Sequence, residues 1–192
     1  LLCQKAENLV AGAPCGVMDQ MTCVCGEKDA LLALLCQPAE LQPPVRVLED
    51  MSLWGIDSGE RHAISGSDYV SVRTGAFMGY RIIARTEMQW QGYLANISPE
   101  EFEREHVRWL PEEMSGAEFL SRYSQTTDTV TTVDPGRMYR VRQPATHPVY
   151  EHHGVTLFRQ LLTETASEQR RKELGQLMYQ SHASYSVCGL GS

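Results

Sequence analysis

Asp19 follows a run of small and turn-forming residues, Ala11-Gly12-Ala13-Pro14-Cys15-Gly16, and opens a second helical pattern in Val17, Met18, Met21, Val24 and Cys25 that Gly26 stops. This spacing puts a carboxylate in the first turn of a helix leaving a tight bend. The N-terminus of a helix carries roughly +0.5 of an elementary charge and several free N–H groups, which favours an anion there. Such a carboxylate is suited to orienting a hydroxyl group or taking its proton; on these residues alone the reading as a helix-start residue comes first. Glu7 precedes the bend, within Cys3-Gln4-Lys5-Ala6-Glu7-Asn8. Tyr69, after Ser65-Gly66-Ser67-Asp68, reads unaided as an aromatic at a helix start, and His62 as a hydrogen-bonded structural histidine.

The elements that must position these residues follow from periodicity. Leu1 to Leu9 reads as the end of a helix, and Gly16 to Cys25 as a short buried one. Ala30–Cys36, Val45–Glu49 and Leu53–Asp57 read as three antiparallel strands of one sheet, parted by Gln42-Pro43-Pro44 and Glu49-Asp50. Tyr69 to Arg85 carries Val72, Ala76, Phe77, Tyr80 and Ile83 on one helical face. Ser98, Ser115 and Thr165, each followed three residues later by Glu, signal three further helix starts. Ser124 to Val133, rich in Thr, Ser and Asp, reads as an exposed loop.

The 192 residues are 42% hydrophobic, enough for one globular domain or parts of two. A net charge of -7 and the absence of any basic run argue against nucleic acid as a partner, because phosphate binding needs clustered Lys and Arg. No apolar stretch approaches the ~18 residues of a membrane span, so no membrane partner is expected. The six cysteines form no C-x-x-C pair and read as reduced core residues of a cytoplasmic protein. Glu151, His152 and His153 are not read as a metal site, because adjacent residues of a helix point apart. Gly189-Leu190-Gly191-Ser192 reads as a helix-ending turn rather than a phosphate cradle.

The run from Cys3 through Gln20 resembles the galactokinase pattern C-Q-x-A-E-x-x-x-x-G-x-P-C-G-x-M-D-Q, within the GHMP superfamily of sugar-1-kinases. Asp57-Ser58-Gly59-Glu60-Arg61-His62 with Ser65 and Tyr69 is similar to a second family segment, in which many galactokinases carry Asn where this chain has Asp57. His147-Pro148-Val149-Tyr150-Glu151 and Leu174 to His182 resemble two later helices. Met88 to Arg142 is longer than in ordinary galactokinases. That insertion and Trp54-Gly55-Ile56-Asp57 resemble the L-arabinokinases, with galacturonokinase a near relative.

What the resemblance implies is an α+β chain holding part of the two-domain GHMP kinase fold. Residues 1–60 would finish an N-terminal sheet-and-helix domain, and residues 61–192 would begin a mostly helical C-terminal domain. It implies transfer of the ATP γ-phosphoryl group, with Mg2+, to the anomeric hydroxyl of a monosaccharide, L-arabinose before D-galactose. Asp19 would be the catalytic residue; Gly16, Asp19 and Tyr69 would hold the sugar; Glu7 would assist the metal. The family's two Gly-rich nucleotide loops have no match here, so no nucleotide-binding residue is expected within the chain, and the chain alone is expected to be inactive. A sugar- and ATP-sensing regulator without turnover is the alternative of another class.

Overall fold

The computed structural model describes residues 2–12, 14–36, 39–48, 51–57, 59 and 67–190. They fall into two compact units, Leu1–Ser65 with Arg159–Thr165, and Gly66–Phe158 with Ala166–Ser192. His62, Arg61 and Ser65 lie outside the described residues.

In the first unit, α1 (Leu2–Ala6) widens into a π turn over Glu7–Ala11. Gly12 ends it in the left-handed region, at φ +68, a conformation that glycine adopts without steric cost. α2 (Met18–Cys25) follows, and the Gly26 N–H closes it on Thr22 O. The expected buried helix is not what forms: α2 has no buried residue, and Met18 and Val24 are exposed. Its anchor is Val17, at the N-cap and 5% exposed.

The expected single sheet is two separate ladders. β1 (Ala30–Leu31) pairs with β4 (Val45–Arg46), and β2 (Leu34–Leu35) pairs with β3 (Glu40–Leu41), both antiparallel. The loop at Leu32–Ala33 splits the expected first strand, so each half meets a different partner. Gln42 donates its N–H to Ala33 O, and Pro43-Pro44, having no N–H to give, keep β3 and β4 from running on as one strand. Leu53–Asp57 forms no strand. Trp54 and Ile56 there are 88% and 92% exposed, and strand propensity without a neighbour to pair with produces no ladder.

The second unit is built around α3 (Ser67–Ile83). Gly75 and Gly79, four residues apart, lie on one face, and this lets other backbone come close: a Cβ at Gly75 would sit 2.1 Å from Arg140 O, and one at Gly79 2.4 Å from the Ala145 Cβ. Here β5 (Glu113–Ser115) and β6 (Met138–Arg140) form an antiparallel two-stranded ladder with Met114 opposite Tyr139, both buried, while Glu113, Met138 and Arg140 face outward. With Met78, Phe102, Leu110, Phe119, Val141 and Val149 they make the core. The Tyr80 hydroxyl lies 2.8 Å from Glu87 O and 2.7 Å from Gln89 O, tying down the turn after α3.

The other helices are α4 (Pro99–Glu101), α5 (Gly116–Tyr123), α6 (Arg142–Thr163, in this unit as far as Phe158) and α7 (Glu168–Val187). Ser98 and Ser115 cap α4 and α5 as expected, accepting from the Glu101 and Glu118 N–H groups. α7 starts two residues later than expected: Ser167, not Thr165, accepts from the Arg170 N–H. Residues 124–133 form no regular element, yet they are not the exposed loop expected. Thr131 and Val133 are buried, and the Asp128 side chain is 2% exposed. Gly189, at φ +89, and Leu190 donate their N–H groups to Ser186 O and Tyr185 O, which is a helix-ending turn. Among the described residues no helix is long and apolar enough to cross a membrane.

Candidate active site

Gln4, Glu7 and Asn8 stand at i, i+3 and i+4, so α1 and its π turn present three polar side chains to one side. All three reach the returning chain. Asn8 Oδ1 accepts the Cys15 N–H at 2.9 Å, and Gln4 Nε2 donates to Cys15 O at 3.3 Å. Gln20 Nε2 donates to Glu7 Oε1 at 2.8 Å and lies 3.8 Å from Cys15 Sγ. The bend that leads into α2 is thus held by side chains from the helix before it.

These bonds set the charges. Donation from Gln20 and from the Cys15 thiol holds the Glu7 carboxyl below its ordinary value, outweighing desolvation. Burial pushes the Cys15 thiol up, with the Glu7 bond and charge adding to it, so this cysteine stays a neutral donor. The oxygen of the Gln20 amide, Oε1, is buried without a hydrogen-bond partner among the described residues.

Asp19 is exposed in the first turn of α2, beside the Gln20 that holds Glu7. Gly16 is exposed too, and a Cβ there would meet no atom of the described residues within 4 Å. Neither packing nor a left-handed φ demands glycine at this position, so what the missing side chain provides is open space in front of the first turn. Glu7, Gly16 and Asp19 share the first unit. Tyr69 belongs to the second, half-buried in the first turn of α3, with its hydroxyl near Arg73.

Reading the sequence did not single out Gln4, Asn8 or Gln20 as partners of the bend, nor Arg73 with Asp128. The i, i+3, i+4 spacing of Gln4, Glu7 and Asn8 was the available signal. Among the described residues no group of three His, Cys, Asp or Glu could hold a metal ion. A lone ionised carboxylate such as Glu7 nevertheless fits Mg2+, which takes one or two carboxylates together with phosphate oxygens and water.

Known sugar kinases are similar to this chain. The chain is 43% identical to L-arabinokinase of Arabidopsis thaliana over its whole length, and 29% identical to galactokinase of Clostridium tetani over 98% of its length. The chain is similar along its whole length to the galactokinase-like sugar kinases. The galactokinase of Chloroflexus aggregans is 34% identical over 43% of this chain. No family model and no solved structure matches it. The segment spans 21% of the Arabidopsis relative and 41% of the Clostridium one.

Proposed function

We propose that this chain is the part of a GHMP sugar-1-kinase that carries its catalytic aspartate, and that the kinase converts L-arabinose to L-arabinose 1-phosphate. Similarity along the entire chain to a protein named L-arabinokinase carries this reading. Residues 1–60 then belong to the kinase's N-terminal domain and residues 61–192 to the start of its C-terminal one.

In this reading Asp19 orients the anomeric hydroxyl and takes its proton as the O1–P bond forms and the bond to the ADP leaving group breaks. The open space at Gly16 admits the sugar to the first turn of α2, and Tyr69 holds it from the start of α3. Glu7, kept ionised by Gln20, is the carboxylate offered to Mg2+. ATP with Mg2+ supplies the phosphoryl group and neutralises its charge. Catalysis of this kind rests on positioning more than on covalent chemistry.

Coupled ADP release by the kinase that carries this segment, with L-arabinose and D-galactose in competition, tests the proposal. L-arabinose should be preferred. The two sugars differ by one hydroxymethyl group, a difference worth roughly 1–3 kcal/mol in a pocket, so galactose should remain a poor substrate. Preference for galactose would reassign the kinase as a galactokinase. Binding of both ligands without ADP release would make it a sensor.

A further inference from the structure

We infer that Asn8 is a positioning residue of this site: by holding the Cys15 N–H, its side-chain oxygen fixes the bend from which α2 sets out Asp19. The inference rests on the reading of Asp19 as the group that meets the sugar hydroxyl. Cys15 is the last residue before Gly16, and both of its backbone groups are taken by side chains from the preceding helix, the N–H by Asn8 at 2.9 Å and the carbonyl by Gln4 at 3.3 Å. On one side stands Pro14, which is buried and has no N–H. On the other, Gly16 is exposed, and a Cβ there would find nothing among the described residues within 4 Å. The bend is therefore located at Cys15, and four residues later α2 presents Asp19. The Asn8 carboxamide can meet an N–H donor only with its oxygen end, so its orientation is fixed as well.

A positioning role and a merely structural one predict different magnitudes. Loss of one typical neutral hydrogen bond changes the folding equilibrium by about two- to tenfold where, as at the half-buried Cys15, water can reach the freed N–H. Displacing a reacting group by about 1 Å can lower the rate of the chemical step by about a hundredfold. Removing the Asn8 oxygen should therefore show in kcat well beyond its effect on stability.

The experiment compares Asn8→Ala, Asn8→Asp and Asp19→Asn in the kinase that carries this segment, measuring kcat, the KM for sugar and thermal unfolding. Asn8→Ala should lower kcat by about ten- to a hundredfold while KM changes little, because the sugar's own contacts are untouched. Asn8→Asp keeps an acceptor oxygen in the same place and should recover most of that loss. Unchanged kcat in Asn8→Ala alongside a large loss in Asp19→Asn would overturn the role of Asn8, and so would equal losses in Asn8→Ala and Asn8→Asp. Unchanged kcat in Asp19→Asn would instead remove the reading of Asp19 itself. If Asn8→Ala does not fold, Gln4→Met takes its place by deleting the longer of the two braces: reduced kcat supports the inference, and unchanged kcat refutes it.

Discussion

Arg73 on α3 holds both carboxylate oxygens of Asp128, Nε to Oδ2 at 2.8 Å and Nη2 to Oδ1 at 2.9 Å, across 55 residues of sequence. Asp128 also accepts from the Thr131 hydroxyl at 2.6 Å and from the N–H groups of Val130 and Thr131, and Thr131 meets Thr74 on α3. A Thr-rich stretch without regular structure is thereby fastened to the central helix by one carboxylate.

Acid should release that fastening. Burial raises the Asp128 carboxyl, but the bonds from Arg73 and Thr131 and the Arg73 charge outweigh it, leaving it below its ordinary value. A carboxyl depressed on folding stabilises fully above its unfolded value of about 3.9, and that contribution disappears as pH falls through the folded value. Urea unfolding at pH 7 and pH 3 should show this loss. Asp128→Asn should be less stable at pH 7 by roughly 1–3 kcal/mol and should have a flatter acid limb. An unchanged acid limb would place the titrating group elsewhere.

Glycine substitutions in the helices should divide into two classes. At Gly79 an added methyl would lie 2.4 Å from the Ala145 Cβ, and at Gly75 2.1 Å from Arg140 O. Gly→Ala in a helix is worth up to about 1 kcal/mol in propensity, whereas overpacking costs roughly 1–3 kcal/mol, so the clash wins at both positions. At Gly154 in α6 and Gly175 in α7 a Cβ meets nothing within 4 Å among the described residues, so there propensity acts alone. Thermal melts should show Gly75→Ala and Gly79→Ala destabilised and Gly154→Ala and Gly175→Ala at or above the parent.

Asp19→Asn should leave folding intact, since this exposed side chain carries no packing, and should lower turnover by on the order of a hundredfold or more. Steady-state kinetics beside circular dichroism separates the two effects. Near-normal kcat would remove Asp19 from the reaction.

Tyr69→Ala should weaken sugar binding more than ATP binding. Tyr69→Phe, which keeps the ring but withdraws the hydroxyl from Arg73 and from any sugar contact, should raise the KM for sugar by up to about tenfold, the worth of one hydrogen bond. Calorimetric titration with each ligand is the measurement. Equal losses for sugar and nucleotide would make Tyr69 a packing residue.

Much of the second unit was legible in the sequence because its signals are local. The period of α3 is carried by its own residues, and Ser98 and Ser115 cap within three positions. Thr165 and Ser167 competed for one helix start, and the choice fell to Ser167, whose hydroxyl reaches the Arg170 N–H. The single sheet failed because pairing is a property of two segments: Leu53, Trp54 and Ile56 have strand character, and nothing in that character says what lies alongside. Asp128 read as a loop residue for the same reason, since its partner is 55 positions away. At the candidate site, Glu7, Gly16 and Asp19 were legible as members of one motif. The bracing roles of Gln4, Asn8 and Gln20 were not, because a polar residue near a helix end reads the same whether it faces solvent or grips a bend.

The braces around Cys15 also bear on the order in which the chain folds. They join residues 5 to 13 positions apart, against 55 for Arg73 and Asp128. Loops of about ten residues close in roughly 10–100 ns, and each doubling of loop length adds about 0.6 kcal/mol of entropic cost. The short-range contacts between Gln4 and Gln20 are therefore expected to close before the long-range clasp does. A substitution at Asn8 should accordingly slow early folding, and one at Asp128 should mainly speed unfolding.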